Sequence, residues 1–474
     1  MSEQVAGEVA FADFPTSFRG AVVRPGDAGY AEARKIPNAR HDLRHPAIIA
    51  RCADADDVAI AVRYANEQDV AIALRSGGHG IDGFAMPEGA FVIDLSPMKG
   101  ISVDPATGVA RVEAGCLLGE MDAATQEHGL VVPSGTVSET GVAGLILGGG
   151  LGYNTRLHGM SVDNLLAVDV VTADGRKLRA TADENADLFW GLRGAGHNLA
   201  IATAFELQAH PVGPDITSGL IIYPIDAAVP ILTRIDEFMA TAPRPMTVYP
   251  VVLPAPPLPG LPEQLVGVPI FVLIVVYTGP LDTAEAEVAK VAALGQPMAN
   301  MVGPSTWMQA NSILDVLAPP GRRQHSRGGY LGSITPEIAQ IVVDHVSNAP
   351  APTGPGPSCA VAFPAMGGAA EDFDEDATAF SRTGAKWLWE VLGQWDPPES
   401  DAEYDGWVDG VMDALKPFSL RNGYVNLSTD QGPDWLEGLY GSAEKWNRIV
   451  ALKAKWDPEN RLRHNKNVKV AKPA

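Results

Sequence analysis

A histidine set between glycines has little local packing to satisfy, so its ring is free to serve a ligand. His79 is such a residue, in Arg75-Ser76-Gly77-Gly78-His79-Gly80. A second cluster, Gly141-Val142-Ala143-Gly144-Leu145-Ile146-Leu147-Gly148-Gly149-Gly150-Leu151-Gly152, holds six glycines in twelve residues. Glycine costs backbone entropy, so that density needs a reason. One reason is a backbone that approaches a large anionic ligand and aims N–H groups at it. The other is close packing of a helix on a strand. Arg75 can add positive charge to the first cluster. Neither cluster is G-x-G-x-x-G opening a Rossmann helix with an acidic residue ~20 positions on, and neither is a Walker loop. Cys52, Cys116 and Cys359 are far apart with no C-x-x-C pair. That excludes a zinc knuckle and a disulfide framework, and no metal site is expected.

The elements around these clusters are legible. A strand over 47–52, a helix over 54–68 opened by acidic residues, and a strand over 70–74 form a strand–helix–strand unit. The loop 75–80 therefore follows the end of a strand, where α/β folds commonly place ligands. Further strands are expected over 91–95, 108–113 and 167–172, the last running into the hairpin signal Ala173-Asp174-Gly175-Arg176. Composition shifts at Pro211-Val212-Gly213-Pro214. Eight prolines between Pro243 and Pro262 predict an extended loop, because proline lacks an N–H for a central strand. A strand over 270–277 and a helix over 283–294 follow. The middle of the chain thus reads as a separate α+β domain, and the tail after it is basic.

Composition narrows the function. The 474 residues are 46% hydrophobic and 19% charged, enough for a large core. A formal net charge of -22 repels phosphate backbones and anionic bilayers, so no nucleic-acid or membrane partner is expected. The first residues lack the basic and apolar regions of a signal peptide. The longest apolar stretch, 265–277, falls short of the ~20 residues of a spanning helix. A cytoplasmic protein is expected.

With these residues in place, the chain resembles the vanillyl-alcohol-oxidase-type flavoproteins with a PCMH-type FAD-binding domain, in particular their berberine-bridge-enzyme-like branch. Arg75 to His79 resembles the loop whose histidine is covalently attached to the flavin. Gly141 to Gly152, with Gly159 and Asp163-Asn164-Leu165-Leu166, resembles the second pyrophosphate-binding segment. Asp187-Leu188-Phe189-Trp190-Gly191-Leu192-Arg193-Gly194 resembles the end of the flavin domain. Tyr424-Val425-Asn426, Asp457-Pro458-Glu459-Asn460 and His464-Asn465-Lys466-Asn467 resemble the C-terminal signature.

The resemblance implies an α+β chain in two domains. Residues 1–212 and 419–474 would form the FAD-binding domain, and 213–418 an inserted substrate domain whose antiparallel sheet covers the flavin. It implies cofactor contacts at Arg75, Ser76, Gly77, Gly78, His79, Gly80, Gly135, Thr136, Thr140, Gly141, Val142, Gly144, Leu145, Gly148, Gly149, Gly152, Ile201, Tyr424, Asn426 and Asn465. Many relatives attach the flavin a second time, through a cysteine; that position is Val137, so one covalent link, through His79, is expected.

The implied activity is an FAD-dependent oxidase. It would remove a hydride from an alcohol, amine or hydroxylated ring of a small metabolite and pass the electrons to molecular oxygen. A dehydrogenase with another acceptor, or a flavin-binding protein without turnover, are the alternatives. Thr140 occupies the position that gates oxygen, and its modest size favours an oxidase; the Ala143 methyl narrows the same route. Tyr424 is the expected proton acceptor, facing the same side of an extended strand as Asn426. It would need a lowered pKa, for which a nearby cation could serve. His325 and Arg327 are expected substrate contacts. Substrate identity and oligomeric state stay open.

Overall fold

Asp54 caps the helix Ala55–Glu67, its carboxylate accepting from the amides of Asp56 and Asp57, and Val58, Ala61, Val62 and Ala65 give that helix a buried side. The helix connects Ile48–Arg51 to Ile72–Arg75, and both strands pair in parallel with Phe91–Asp94 between them. Ala21–Val23 completes a four-stranded sheet on the other edge. The computed structural model describes residues 12–256, 263–354 and 356–470.

A second, antiparallel sheet of five strands runs Ile101–Asp104, Val109–Glu113, Ile201–Gln208, Leu165–Val171, Lys177–Thr181. The hairpin expected at 173–176 joins its last two members in sequence. Residues 215–395 supply an eight-stranded antiparallel sheet. Its central strands are Pro269–Tyr277, Met246–Pro254, Cys359–Ala362 and Trp387–Trp395, with Arg323–Leu331 at one edge. The chain is a mixed α and β protein, and among the described residues no sheet closes into a barrel.

Strand parity divides this large sheet. Met246, Val248 and Val252 share a core with Trp387, Trp389, Val391 and Trp395 under the helices Ala228–Thr241, Pro336–Ser347 and Asp401–Leu415. Tyr249, Val251 and Leu253 point the other way, into a second core shared with Tyr153, Phe380 and Tyr424. Side chains alternate between faces of a strand, so each face carries its own chemistry.

The loop expected over 243–262 is corrected by this arrangement. Met246–Pro254 is a fully buried central strand, and Pro257, Pro259 and Pro262 lie outside the described residues. Pro250 is tolerated because its carbonyl still accepts from the Phe363 amide at 2.8 Å. Its missing N–H faces Phe363, just past the end of the short strand Cys359–Ala362, so the proline forgoes one reciprocal bond at the last pair of a short ladder.

The tail returns to the first two sheets. Lys453 and Asp457 form a fully buried ion pair (2.6 Å), and the Lys453 ammonium also donates to the carbonyls of Asn198 and Leu462. Ile72 donates to Arg461, and Val468 donates to the Asn198 side chain. Burying this pair costs desolvation that only its full set of partners offsets. Among the described residues, no helix is long and apolar enough to cross a membrane.

Candidate functional site

The end of the strand Ile72–Arg75 delivers the first glycine cluster to a cavity of about 440 Å³. Gly78 sits at φ +73°, a backbone region that side chains disfavour. The amides of Gly77, Gly78, His79 and Gly80 donate to no backbone carbonyl among the described residues. Four free N–H groups on one turn suit a negatively charged ligand. The second cluster enters the helix Val142–Leu147 beside it. A Cβ built on Gly141 would fall inside van der Waals contact of Gly77 N, so only glycine lets the two loops abut. Gly141→Ala is expected to displace both loops and to leave the purified protein with well under half the wild-type cofactor content. Visible absorbance relative to protein checks this.

His79 lines the cavity with one ring nitrogen held by the Glu139 backbone and the other, Nε2, unpartnered. Burial pushes its pKa down, so the ring is neutral. His197 also lines the cavity; burial and the charges of Lys466 and Lys453 push it down to about 3, and its Nε2 has no partner. Asn465 holds the carbonyls of His197 and Leu462 through Nδ2 while its Oδ1 is unpartnered. Buried polar atoms left unsatisfied are costly, which marks these three as groups made for a ligand.

Of the expected contacts, Ser76, Gly77, Gly78, His79, Gly80, Gly135, Thr136, Thr140, Gly141, Gly144, Leu145, Tyr424, Asn426 and Asn465 line this cavity. Others do not. Arg75 turns away into a buried pair with Asp94 and also donates to the Ala33 carbonyl, so its charge is spent on the fold. Val142 is core, and Ile201 is a strand residue paired with Val171. Gly148, Gly149 and Gly152 make room for Asn426, Phe380 with Tyr424, and the Ser134 carbonyl respectively, the packing reading of a glycine cluster. His325 and Arg327 are bound to Asp409 on the helix side of the large sheet, through Asp409 Oδ1 at 3.2 and 3.0 Å. Parity excludes them: Gln324 on the same strand faces the cavity.

Tyr424 to Asn426 form a turn rather than a strand. Their side chains meet nonetheless, Asn426 Nδ2 donating to the Tyr424 hydroxyl at 3.1 Å and to the Leu145 carbonyl. The same hydroxyl accepts from the Gly150 amide at 2.9 Å. Burial raises the Tyr424 pKa, and no cation is among the groups acting on it. The lowered pKa that a tyrosine base requires is therefore not what this environment provides. Tyr424→Phe would leave the Gly150 amide without its acceptor, worth about 1–3 kcal/mol. It is expected to slow cofactor reduction by about tenfold and to lower the melting temperature.

Besides His197, sequence reasoning missed Glu390. It lies in Trp387–Trp395, on the face opposite the tryptophans, with its carboxyl in the cavity. Among the described residues its one side-chain hydrogen-bond partner is the Ser326 hydroxyl at 3.3 Å. Burial pushes it up to about 7. The available signal was a lone acidic residue in a largely apolar strand, which is rare without a role.

Two family models match the chain. One, described as an FAD binding domain, covers residues 46–181; the other, described as berberine and berberine like, covers 423–469. An FAD-linked oxidoreductase of Dictyostelium discoideum is 28% identical over 463 residues, 96% of each chain. The (R)-6-hydroxynicotine oxidase of Paenarthrobacter nicotinovorans is 29% identical over 477 residues, 96% of this chain and 97% of its own. The crystal structure of 6-hydroxy-D-nicotine oxidase from Arthrobacter nicotinovorans superposes with a TM-score of 0.85 at 26% identity, over 96% of this chain and 99% of that one. The fold and the cavity thus define an FAD-dependent oxidoreductase. The chain carries an FAD binding segment and a berberine-like tail and matches the berberine-bridge-enzyme-like FAD-linked oxidoreductases along nearly its whole length.

Proposed function

We infer that this protein is an oxidase that takes a hydride from a carbon bearing a hydroxyl or amine on a small, largely apolar molecule, with FAD held by one covalent link through His79. The observation that carries the reading is Glu390, a carboxyl without a cationic partner among the described residues, facing a cavity that the two glycine loops also line. The residues present fit FAD. Free loop amides suit its pyrophosphate, and the neutral His79 ring has an unsatisfied nitrogen in the cavity. At Gly144 and Gly80 a Cβ would meet only open space.

The chemistry FAD supplies when bound is hydride acceptance from a substrate carbon and, on reoxidation, electron delivery to oxygen to give hydrogen peroxide. The chain's own residues do the rest. Glu390 takes the proton from the substrate hydroxyl or ammonium as the adjacent C–H is broken, a role matched to a pKa near neutrality. Tyr424 and Asn426, tied to the Gly150 amide and the Leu145 carbonyl, orient the substrate against that carboxyl. The large sheet excludes water. Its wall is Val251, Ile274, Ala360, Ala362 and Leu392, with the amides of Gln324 and Gln394. That lining supports an alcohol, amine or hydroxylated ring of low polarity over an oligosaccharide, which would need many more polar partners.

The division into 1–212 with 419–474 and 213–418 belongs to the same proposal: the glycine loops and tail hold the cofactor, and the inserted sheet holds the substrate. Val137, where relatives carry a second attaching cysteine, leaves His79 as the single link. Thr140 at the cavity wall favours access of oxygen. Anaerobic reduction followed by mixing with oxygen tests the oxidase reading. Rapid reoxidation with peroxide release is expected; reoxidation no faster than that of free reduced flavin would leave a dehydrogenase.

A further inference from the structure

The segment Trp307–Asn311 and the turn Asp315–Leu317 belong to the part of the chain that builds the large sheet, yet they spend their polar groups on the cofactor side. Trp307 Nε1 donates to Asp122 Oδ1 at 3.1 Å, and Asn311 Nδ2 donates to Asp122 Oδ2 at 2.6 Å. The same Asn311 nitrogen donates to the Gly135 carbonyl at 3.2 Å. The Ser138 amide donates to Asp315 Oδ1 at 2.8 Å. From the other side, the amides of Leu118 and Gly119, at the start of the helix Leu118–Gln126, donate to the carbonyls of Thr140 and Ser138. The loop 135–141 is thus gripped on both flanks.

Asp122 is 2% exposed and its side chain has two donors and no cation among the described residues. Burial pushes its carboxyl up to about 6. A carboxylate in such a place is expensive unless both oxygens are satisfied. Here both are, by a segment 185 and 189 residues away in sequence. Between and just beyond the anchors Asn311 and Asp315 stand Leu314 and Leu317, which line the same cavity as Gly135 and Thr136.

We propose that Asp122, Asn311 and Asp315 form a latch that ties the cofactor-side loop 135–141 to the substrate-side wall of Leu314 and Leu317. Asp122 is its positioning residue. The proposal rests on the reading that this loop borders the flavin. No second covalent link holds the loop, because position 137 is valine. Hydrogen bonds from the substrate side therefore share with the Leu118 and Gly119 amides in setting its order, and any loosening of the wall is passed to the cofactor through a contiguous network. Asp122→Asn keeps the volume but turns an NH2 group toward one of the two donors, so one bond must break.

The test uses the flavin-loaded protein, amide hydrogen exchange of peptides spanning 134–141 and 307–318, and visible circular dichroism of the flavin. Asp122→Asn and Asp315→Ala are expected to speed exchange in 134–141 by about tenfold and to alter the flavin signal. Asp315→Asn, whose side-chain oxygen still accepts from Ser138, is expected to stay near wild type. Unchanged exchange and an unchanged flavin signal in both Asp122→Asn and Asp315→Ala would overturn the latch. So would Asp315→Asn behaving like Asp315→Ala. If Asp122→Asn does not fold, the pair at Asp315, a half-buried site, decides alone. A colourless wild-type protein would overturn the cofactor reading, while the exchange contrast would still decide the latch.

Discussion

Glu390→Gln is expected to slow reduction of the bound flavin by about 10²–10⁴-fold, the usual range for loss of a general base. The amide keeps the shape and the contact with Ser326 but cannot take a proton. In the wild type the rate should rise with pH through an inflection near 7, because only the carboxylate accepts a proton and burial places its pKa at about 7. Glu390→Gln should lose that inflection. Rapid-mixing reduction across pH 5 to 9 reads both effects, and a variant that keeps the wild-type profile would remove Glu390 as the base. Stability should move the other way. A carboxyl whose pKa is raised on folding stabilises the fold below its unfolded pKa, and that contribution is lost as pH rises through 7. At pH 8 Glu390→Gln is therefore expected to be more stable than wild type, by on the order of 2–3 kcal/mol. Near pH 4 the two should melt together.

His79→Ala is expected to abolish covalent flavin altogether. Acid precipitation of the wild type should carry the yellow colour into the pellet; the variant should leave it in the supernatant. Mass spectrometry should find the flavin on the tryptic peptide containing His79 and none on the peptide containing Val137. A wild-type His79 peptide without flavin would sink the single-link proposal. The substitution opens space at a half-buried ring rather than crowding the loop, so the variant should still fold and bind flavin reversibly. That separates it from Gly141→Ala, in which the loops themselves cannot close.

Local grammar made the cofactor side readable. Strand–helix–strand patterning placed the loop 75–80 at a strand end, and His79 between glycines marked it for a ligand. The substrate side was opaque for a specific reason. A strand face is known only relative to a partner sheet, and that partner comes from distant sequence. His325 and Arg327 carried attractive chemistry but sit on the helix side, while Glu390, on the neighbouring strand, faces in. Pro250 misled through a sound rule whose exception, a proline at the last pair of a short ladder, is invisible without the register. Arg75 misled because its partner Asp94 lies on another strand. The packing role of Gly148, Gly149 and Gly152 likewise depends on side chains far along the chain.

The tail clasped by Lys453 and Asp457 bears on how the protein is made. Asn465 and Lys466 border the same cavity as His79, and Ile72, just ahead of the glycine loop, donates to Arg461. During synthesis the glycine loops leave the ribosome hundreds of residues before these partners exist. The nascent chain must therefore hold its first half without the wall that finishes the pocket. Flavin capture should be a late event that follows translation of the tail, and cells short of riboflavin should accumulate a full-length chain waiting for its cofactor.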